Sequence, residues 1–386
     1  MRILKIKFEN IGLFEQGFEI DFIARDRVTD RNYVYNFHKN FNLQSTIALI
    51  GANASGKTSA LQLIDMVFSV VLKQESLKNL LIPKGLIQDN SVMIVDFFDV
   101  ANKCYYRLES YFEYIHVSDS EDNLLTFKYS KENIYQKKVS KVTNKTQITE
   151  FSSEDIMLTR DDLRKEVHFL RDDDSMLFYV IKSDLRKSGR MFKSMINENM
   201  MNFYRVSGNA VMTDINIFDD SIDTMELEDS QLKVKFKNKS GELVCNTMPN
   251  QNYLLSSGTA KGGNVLYWLK GIIRSGGYLI IDELENHFHK RLVQFVIELF
   301  NDNEINRNGA TLIFTTHYAE ILDSIERKDN IYVLRRNKSY VSEVIRYSDK
   351  IERIENKKSE VFLSNYIKGT SPAYNSIQEF KESIWE

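Results

Sequence analysis

The chain opens on an alternation of apolar and polar positions. In RILKIKFENIGLF, Ile3, Leu4, Ile6 and Phe8 fall at strand spacing, and FEIDF repeats the pattern as a hairpin partner. STIALIG is a short apolar run ending in glycine, and KTSALQLIDMVFSVVLKQ after it has helical spacing. SVMIVDFFD and KCYYRLESYFEYIHVSD alternate again, as an antiparallel meander would. From Glu154 to Tyr204 the chain is charged, rich in Met, Leu, Arg and Lys, and free of proline, which predicts an inserted helical subdomain. Strand patterns resume at INIF, QLKVKF and GELVCN. A helix over about 259–274 follows, then the buried strand GYLIID, the helix HKRLVQFVIELFND, the buried strand ATLIFTTH, the short helix YAEILDSI and the strand NIYVLRR. Apolar strands alternating with helices imply a parallel sheet covered on both faces. The pattern divides the α/β chain into an N-terminal lobe (1–153), a helical insert (154–210) and a C-terminal lobe (211–386).

Composition narrows the class. With 42% hydrophobic and 27% charged residues in 386, the chain is an ordinary soluble protein. Its longest apolar runs, such as Met66–Leu72, are far shorter than the roughly 20 residues that span a bilayer. The first 20 residues are too charged for a secretory signal, and Cys104 and Cys245 make neither a disulfide framework nor a metal site. The reading is cytoplasmic, with no membrane partner. A net charge of −3 excludes a general nucleic-acid coat. Two basic clusters, Lys131–Lys145 and Arg186–Lys193, are either solvated surface or a nucleic-acid contact by phosphate neutralisation.

The chemistry starts at Gly51–Thr58, G-A-N-A-S-G-K-T, which fits the phosphate-loop pattern G-x-x-x-x-G-K-[ST] between a strand and a helix. Gly51 and Gly56 let backbone N–H groups from Asn53, Ala54, Ser55 and Ser59 converge on phosphates. Lys57 supplies charge and Thr58 a hydroxyl for Mg²⁺. YLIIDE delivers Asp282 and Glu283 to the end of a buried strand, one to hold Mg²⁺ and one to polarise water, although an ordinary strand ending in a polar turn reads the same way. LLSSGTAKGG places Ser256, Ser257 and Gly258 before a helix, as a second anion site or a plain N-cap. His317, in TTHYAE, follows the next buried strand 34 residues after Glu283, at an edge facing the same crevice. His287 and His289 form an H-x-H without further ligands, which argues against zinc.

This order of motifs resembles the ATP-binding-cassette (ABC) class of ATPases, and within it the SMC, RecF and OLD-type branch that includes the AAA15 and AAA21 ATPases. The resemblance runs from ILKIKFENIGLF to SNYIKG and implies an ABC-type ATPase head with a mixed or parallel central sheet, an antiparallel β subdomain and the helical insert. It implies that Leu255–Thr259 is the signature, with Ser257 replacing the usual first glycine. It makes Lys57, Glu283 and His317 catalytic, with His317 sensing the γ-phosphate, and it places His289 at a family histidine. Gln88 is the candidate for the glutamine that links nucleotide to conformation. ATP and Mg²⁺ are the implied ligands, and a head-to-tail homodimer or higher oligomer the implied assembly. The function expected is an ATPase whose dimerisation gates a separately encoded nuclease or toxin in prokaryotic anti-phage defence, with no nuclease in this chain. A RecF-like DNA clamp, a nucleotide-bound scaffold and a transporter subunit are the alternatives.

Overall fold

The computed structural model describes residues 1–14, 17–39, 41–82, 85–115, 126–181, 190–196, 208–209, 216–228, 231–246, 257–286, 288–351, 357–369 and 381–384. The buried runs build its central sheet. Strands β5 (Thr46–Gly51), β10 (Phe192–Ser194), β15 (Tyr278–Ile281), β16 (Thr311–Thr316), β17 (Ile331–Arg336) and β18 (Ser342–Arg346) lie in the order β10-β15-β16-β5-β17-β18. All pairs are parallel except β17–β18. Period-two alternation sends the side chains of β5 to two cores. Ile47 and Leu49 join Phe22 and Phe68 on one face, while Ala48 and Ile50 join Leu266, Val293 and Phe314 on the other. Helix α1 (Lys57–Phe68) packs in the first core, and α4 (Ser257–Ser275) and α5 (Lys290–Asn301) contribute to the second.

The N-terminal alternation becomes an antiparallel sheet. It comprises β1 (Arg2–Glu9), β2 (Phe18–Asp21), β6 (Val92–Asp99), β7 (Cys104–Ile115), β8 (Thr126–Lys138) and β9 (Ile156–Thr159), in the order β2-β1-β6-β7-β8-β9. A short hairpin, β3 (Val34–His38) with β4 (Phe41–Gln44), lies between. Polar clamps tie the two large sheets together. Buried Arg2 donates to the carbonyls of Gly276, Asn308 and Gly309 at 2.6–2.8 Å. The Asp21 N–H donates to the Tyr332 hydroxyl at 2.8 Å, and the Asp21 carboxylate pairs with buried Arg346. A further antiparallel sheet holds β11 (Gly208–Asn209), β12 (Ile222–Glu228), β13 (Gln231–Phe236) and β14 (Glu242–Asn246). Among the described residues, no helix is long and apolar enough to cross a membrane.

The expected helical insert is corrected over its described residues. Among the described residues of 154–210, α2 (Arg160–Glu166) and α3 (Leu177–Val180) are the α-helical ones; β9 extends the antiparallel sheet and β10 forms the edge of the central one. Tertiary pairing explains the difference. Arg160 is buried against Glu132 and donates to the carbonyls of Arg171 and Asp174, which fixes RDDDS as a turn between the two short helices. Similarly, the described part of INIF is a turn, not a strand. A final helix, α6 (Lys358–Leu363), packs through Val361 and Phe362 into the second core.

Several cations of the basic clusters are engaged within the fold. Lys131 lies over the Tyr111 ring, Lys137 pairs with Asp155 at 3.6 Å, and Lys145 donates to the Ala24 carbonyl. In the second cluster Lys193 lies over Trp268, and Arg186 and Lys187 fall outside the described residues.

Candidate functional site

The parallel strands β15, β16, β5 and β17 all end at one edge of the central sheet, so the residues just beyond them meet. β5 ends at Gly51, where a β-carbon would collide with the Leu334 carbonyl oxygen and the Ser55 hydroxyl. The loop then turns through Ala54 at φ 59° and Gly56 at φ 98°, the left-handed residue preceding α1. Ser55 is buried within the loop, and Asn53, Ala54, Gly56, Lys57, Thr58 and Ser59 line the cleft. The first turn of α1 aims its N–H groups and positive dipole end at that space. The Lys57 ammonium donates to the carbonyls of Gly51 and Ala52, both at 2.9 Å. Burial lowers its pKa, opposed by the charges of Asp282, Glu283 and Glu285.

The acids arrive from β15. Buried Asp282 accepts the Thr58 hydroxyl at 2.8 Å through one oxygen and the Thr315 hydroxyl at 2.5 Å through the other. Glu283 adopts φ 50°, a left-handed conformation uncommon for a side-chain-bearing residue. Its N–H donates to the Thr315 hydroxyl oxygen at 2.6 Å. One Glu283 carboxylate oxygen lies 3.1 Å from His317 Nε2, and the other accepts the Asn286 amide. Burial pushes the Glu283 carboxyl upward, but hydrogen bonds from His317 and Asn286 outweigh it and hold the group below the usual glutamate value. The His317 N–H donates to Glu285 Oε1 at 2.5 Å; Glu285 is itself buried.

These groups surround a cleft of about 520 Å³ that Leu13, Glu283, His317 and Arg336 complete. That volume suits a nucleoside triphosphate. Thr58 and Asp282 bring a hydroxyl and a carboxylate oxygen together, the hard donor chemistry that magnesium takes alongside water and phosphate. The residues present therefore fit Mg²⁺.

Other sequence expectations fall elsewhere. Ser257 and Gly258 begin α4, while Ser256 and the rest of the signature before it lie outside the described residues. Gln88 sits against the Gly12 turn and is absent from the cleft lining. His289 caps α5, its ring nitrogen accepting the Arg291 N–H at 3.3 Å; His287 lies outside the described residues. Sequence reasoning passed over Thr315, Glu285, Asn286 and Arg336. The available signals were the second threonine-rich position before His317 and the acid following Glu283 in ELENHFHKRL.

Residues 47–323 match the family model described as AAA domain, putative AbiEii toxin, Type IV TA system. The match covers more than half of the chain, so the chain belongs to this AAA21 family of ABC-like ATPases, the branch implied by the motifs. No curated protein matches it. Among solved structures it is similar to the SMC head domain from Thermotoga maritima, at 13% identity and a TM-score of 0.41, over 90% of this chain and 99% of that one.

Proposed function

We propose that the chain binds and hydrolyses Mg-ATP in this cleft, and that it works as a head-to-tail dimer whose closure is read by a separate effector protein. The observation that carries the reading is the Glu283–His317 pair at 3.1 Å, placed beside a phosphate loop and an Asp282–Thr58 oxygen pair. In this reading the loop from Gly51 to Ser59 wraps the phosphates, and Lys57 turns from the Gly51 and Ala52 carbonyls toward them. Thr58 and Asp282 hold Mg²⁺, which when bound neutralises phosphate charge. Glu283 stays ionised and accepts a proton from the attacking water; His317 and Asn286 hold its two oxygens in place for that water. The strained backbone at Glu283 aims the carboxylate into the cleft.

The dimer accounts for Ser256, Ser257 and Gly258. In the dimer the start of α4 would meet the nucleotide held by the partner. ATP then bridges two protomers and hydrolysis releases them. The family's description places it with a type IV system, and defence against phage is the biological setting we assign. We place the protein in the cytoplasm.

Light scattering on Glu283→Gln, with and without Mg-ATP and beside Lys57→Ala, tests both halves. Mass should double with Mg-ATP in Glu283→Gln alone, and wild type should release phosphate while Lys57→Ala does not. A monomer throughout would sink the dimer, and undiminished phosphate release by Lys57→Ala would sink the site assignment. DNA binding that strengthens with ATP and weakens steeply with salt would instead favour a clamp.

A further inference from the structure

A second groove, of about 840 Å³, lies away from the nucleotide cleft. Helix α5 begins beyond the tip of β15 and ends at Asn301, whose Oδ1 accepts the hydroxyl of Thr46, the first residue of β5, at 3.4 Å. The phosphate loop leaves the other end of β5, so this groove opens at the opposite edge of the central sheet. Its walls are α5 with the loop after it, the turn at Asn32 and Tyr33 before β3, and the segment from Asp323 to Glu326. The Asn303 amide donates to the Arg31 carbonyl and ties the loop to the turn, which preforms two of these walls.

The lining joins apolar side chains to acids. Phe295 and Leu299 are half-buried there, and Ile305 is 46% exposed. Glu298, Asp302, Glu304, Asp323 and Glu326 line the groove, and no Lys or Arg does among the described residues. Two of the acids are spent on the chain itself. Asp302 accepts the Glu304 N–H at 2.7 Å, and Asp323 accepts the Ser359 N–H at 3.0 Å and its hydroxyl at 2.6 Å. Glu298, Glu304 and Glu326 are exposed, and their carboxylates meet no hydrogen-bond or ion-pair partner among the described residues. Lys358 is close enough to feel Glu326 and Asp323 but is not part of the lining. Asn301 adds a different demand. It is only 6% exposed, and with Oδ1 turned to Thr46 its Nδ2 donates to no described residue. The Ser324 hydroxyl in the same lining is also buried and unpaired. Buried polar groups of this kind call for a partner that enters the groove.

We infer that this groove docks a segment of another protein that carries Lys or Arg side chains beside an apolar one. The cations meet Glu298, Glu304 and Glu326, the apolar side chain covers Phe295, Leu299 and Ile305, and a backbone carbonyl accepts the Asn301 amide. Charge complementarity selects this occupant: a nucleic acid would set its phosphates against the acids, and a simple cation would leave the apolar lining uncovered. The inference does not depend on the ATP-binding reading, because the groove shares no lining residue with the nucleotide cleft.

Fluorescence anisotropy with a dye-labelled peptide of roughly 18 residues, lysines on one helical face and leucines on the other, tests this on the full chain at low salt. Wild type should bind it, and a version with glutamate in place of lysine should not bind. Glu298→Lys combined with Glu326→Lys should weaken binding by roughly tenfold or more. Glu154→Lys combined with Glu166→Lys makes the same change of net charge at exposed acids outside the groove and should leave binding within about twofold. Ile305→Ser should weaken it by about threefold to tenfold, and spermine, which has charge without apolar side chains, should compete poorly. These substitutions change exposed side chains, and an unchanged melting temperature reports that each variant is folded. No binding by wild type, an equal loss in the two double variants, or spermine binding as tightly as the peptide would overturn the assignment.

Discussion

Glu132 and Glu283 are both carboxylates beside a basic side chain, and they differ in almost everything else. Glu132, on β8, is fully buried and meets four donors: the Ser110 and Ser175 hydroxyls, the Met176 N–H and the Arg160 guanidinium. Its oxygens are used up holding β7, β8 and the turn before α3 together. Glu283 has a side chain 34% exposed, stands on a left-handed backbone, and is gripped by His317 and Asn286 with a face left open. A closed donor shell makes a carboxylate a fastener; an incomplete one on strained backbone leaves it able to react.

The largest expected effect separates the two roles outright. Glu283→Gln should cut ATP turnover by roughly 10²–10⁴-fold while leaving the melting temperature near that of wild type, measured by phosphate release and calorimetry. Arg160→Met should do the reverse, costing about 3–5 kcal/mol in denaturant unfolding because it strands a buried charge, with ADP affinity of the folded protein unchanged. Thr315→Val sharpens the contrast within the cleft, since it removes the hydroxyl shared by Asp282 and Glu283. The Mg²⁺ concentration for half-maximal turnover should rise by about 10–100-fold, read from a metal titration. The smallest effect is a shift in pH. Glu283 titrates below the usual glutamate value, so its ionised form is lost only as pH falls through that lowered value. His317→Ala removes one of the groups that lowers it, and the acid limb of the residual pH–rate profile should move upward. An unmoved limb would mean that another group sets it.

What could be read from the chain was whatever chemistry forces into contiguous residues. A phosphate loop needs backbone N–H groups, glycines and one lysine in a row, so Gly51–Thr58 was visible at once. Asp282, Glu283 and His317 showed as polar residues ending apolar runs, and parallel pairing put those ends together. Arg336 was not visible, because an arginine ending a strand is ordinary until the β17–β5 register sets it beside Ala54. Thr315 and Glu285 were hidden for the same reason: each acts on a residue more than 30 positions away in sequence. Within 154–210, the stretches at β9 and β10 misled because propensity is a weak preference, and pairing to β8 and β15 overrode it.

One hydroxyl decides how this edge can move. Thr315 donates its proton to Asp282 and accepts the Glu283 N–H, so its donor and an acceptor are spent on neighbouring residues of another strand. The tip of β15 is therefore riveted to β16, and Asp282 and Glu283 travel as one part. On the other side of β5, β17 is laddered to it from Ile331–Ala48 to Leu334–Gly51, and beyond that ladder Arg336 adds one bond to the Ala54 carbonyl. In mechanical terms the cleft is a frame braced on both sides of β5, and the two acids at its far edge are keyed to β16 by a single hydroxyl.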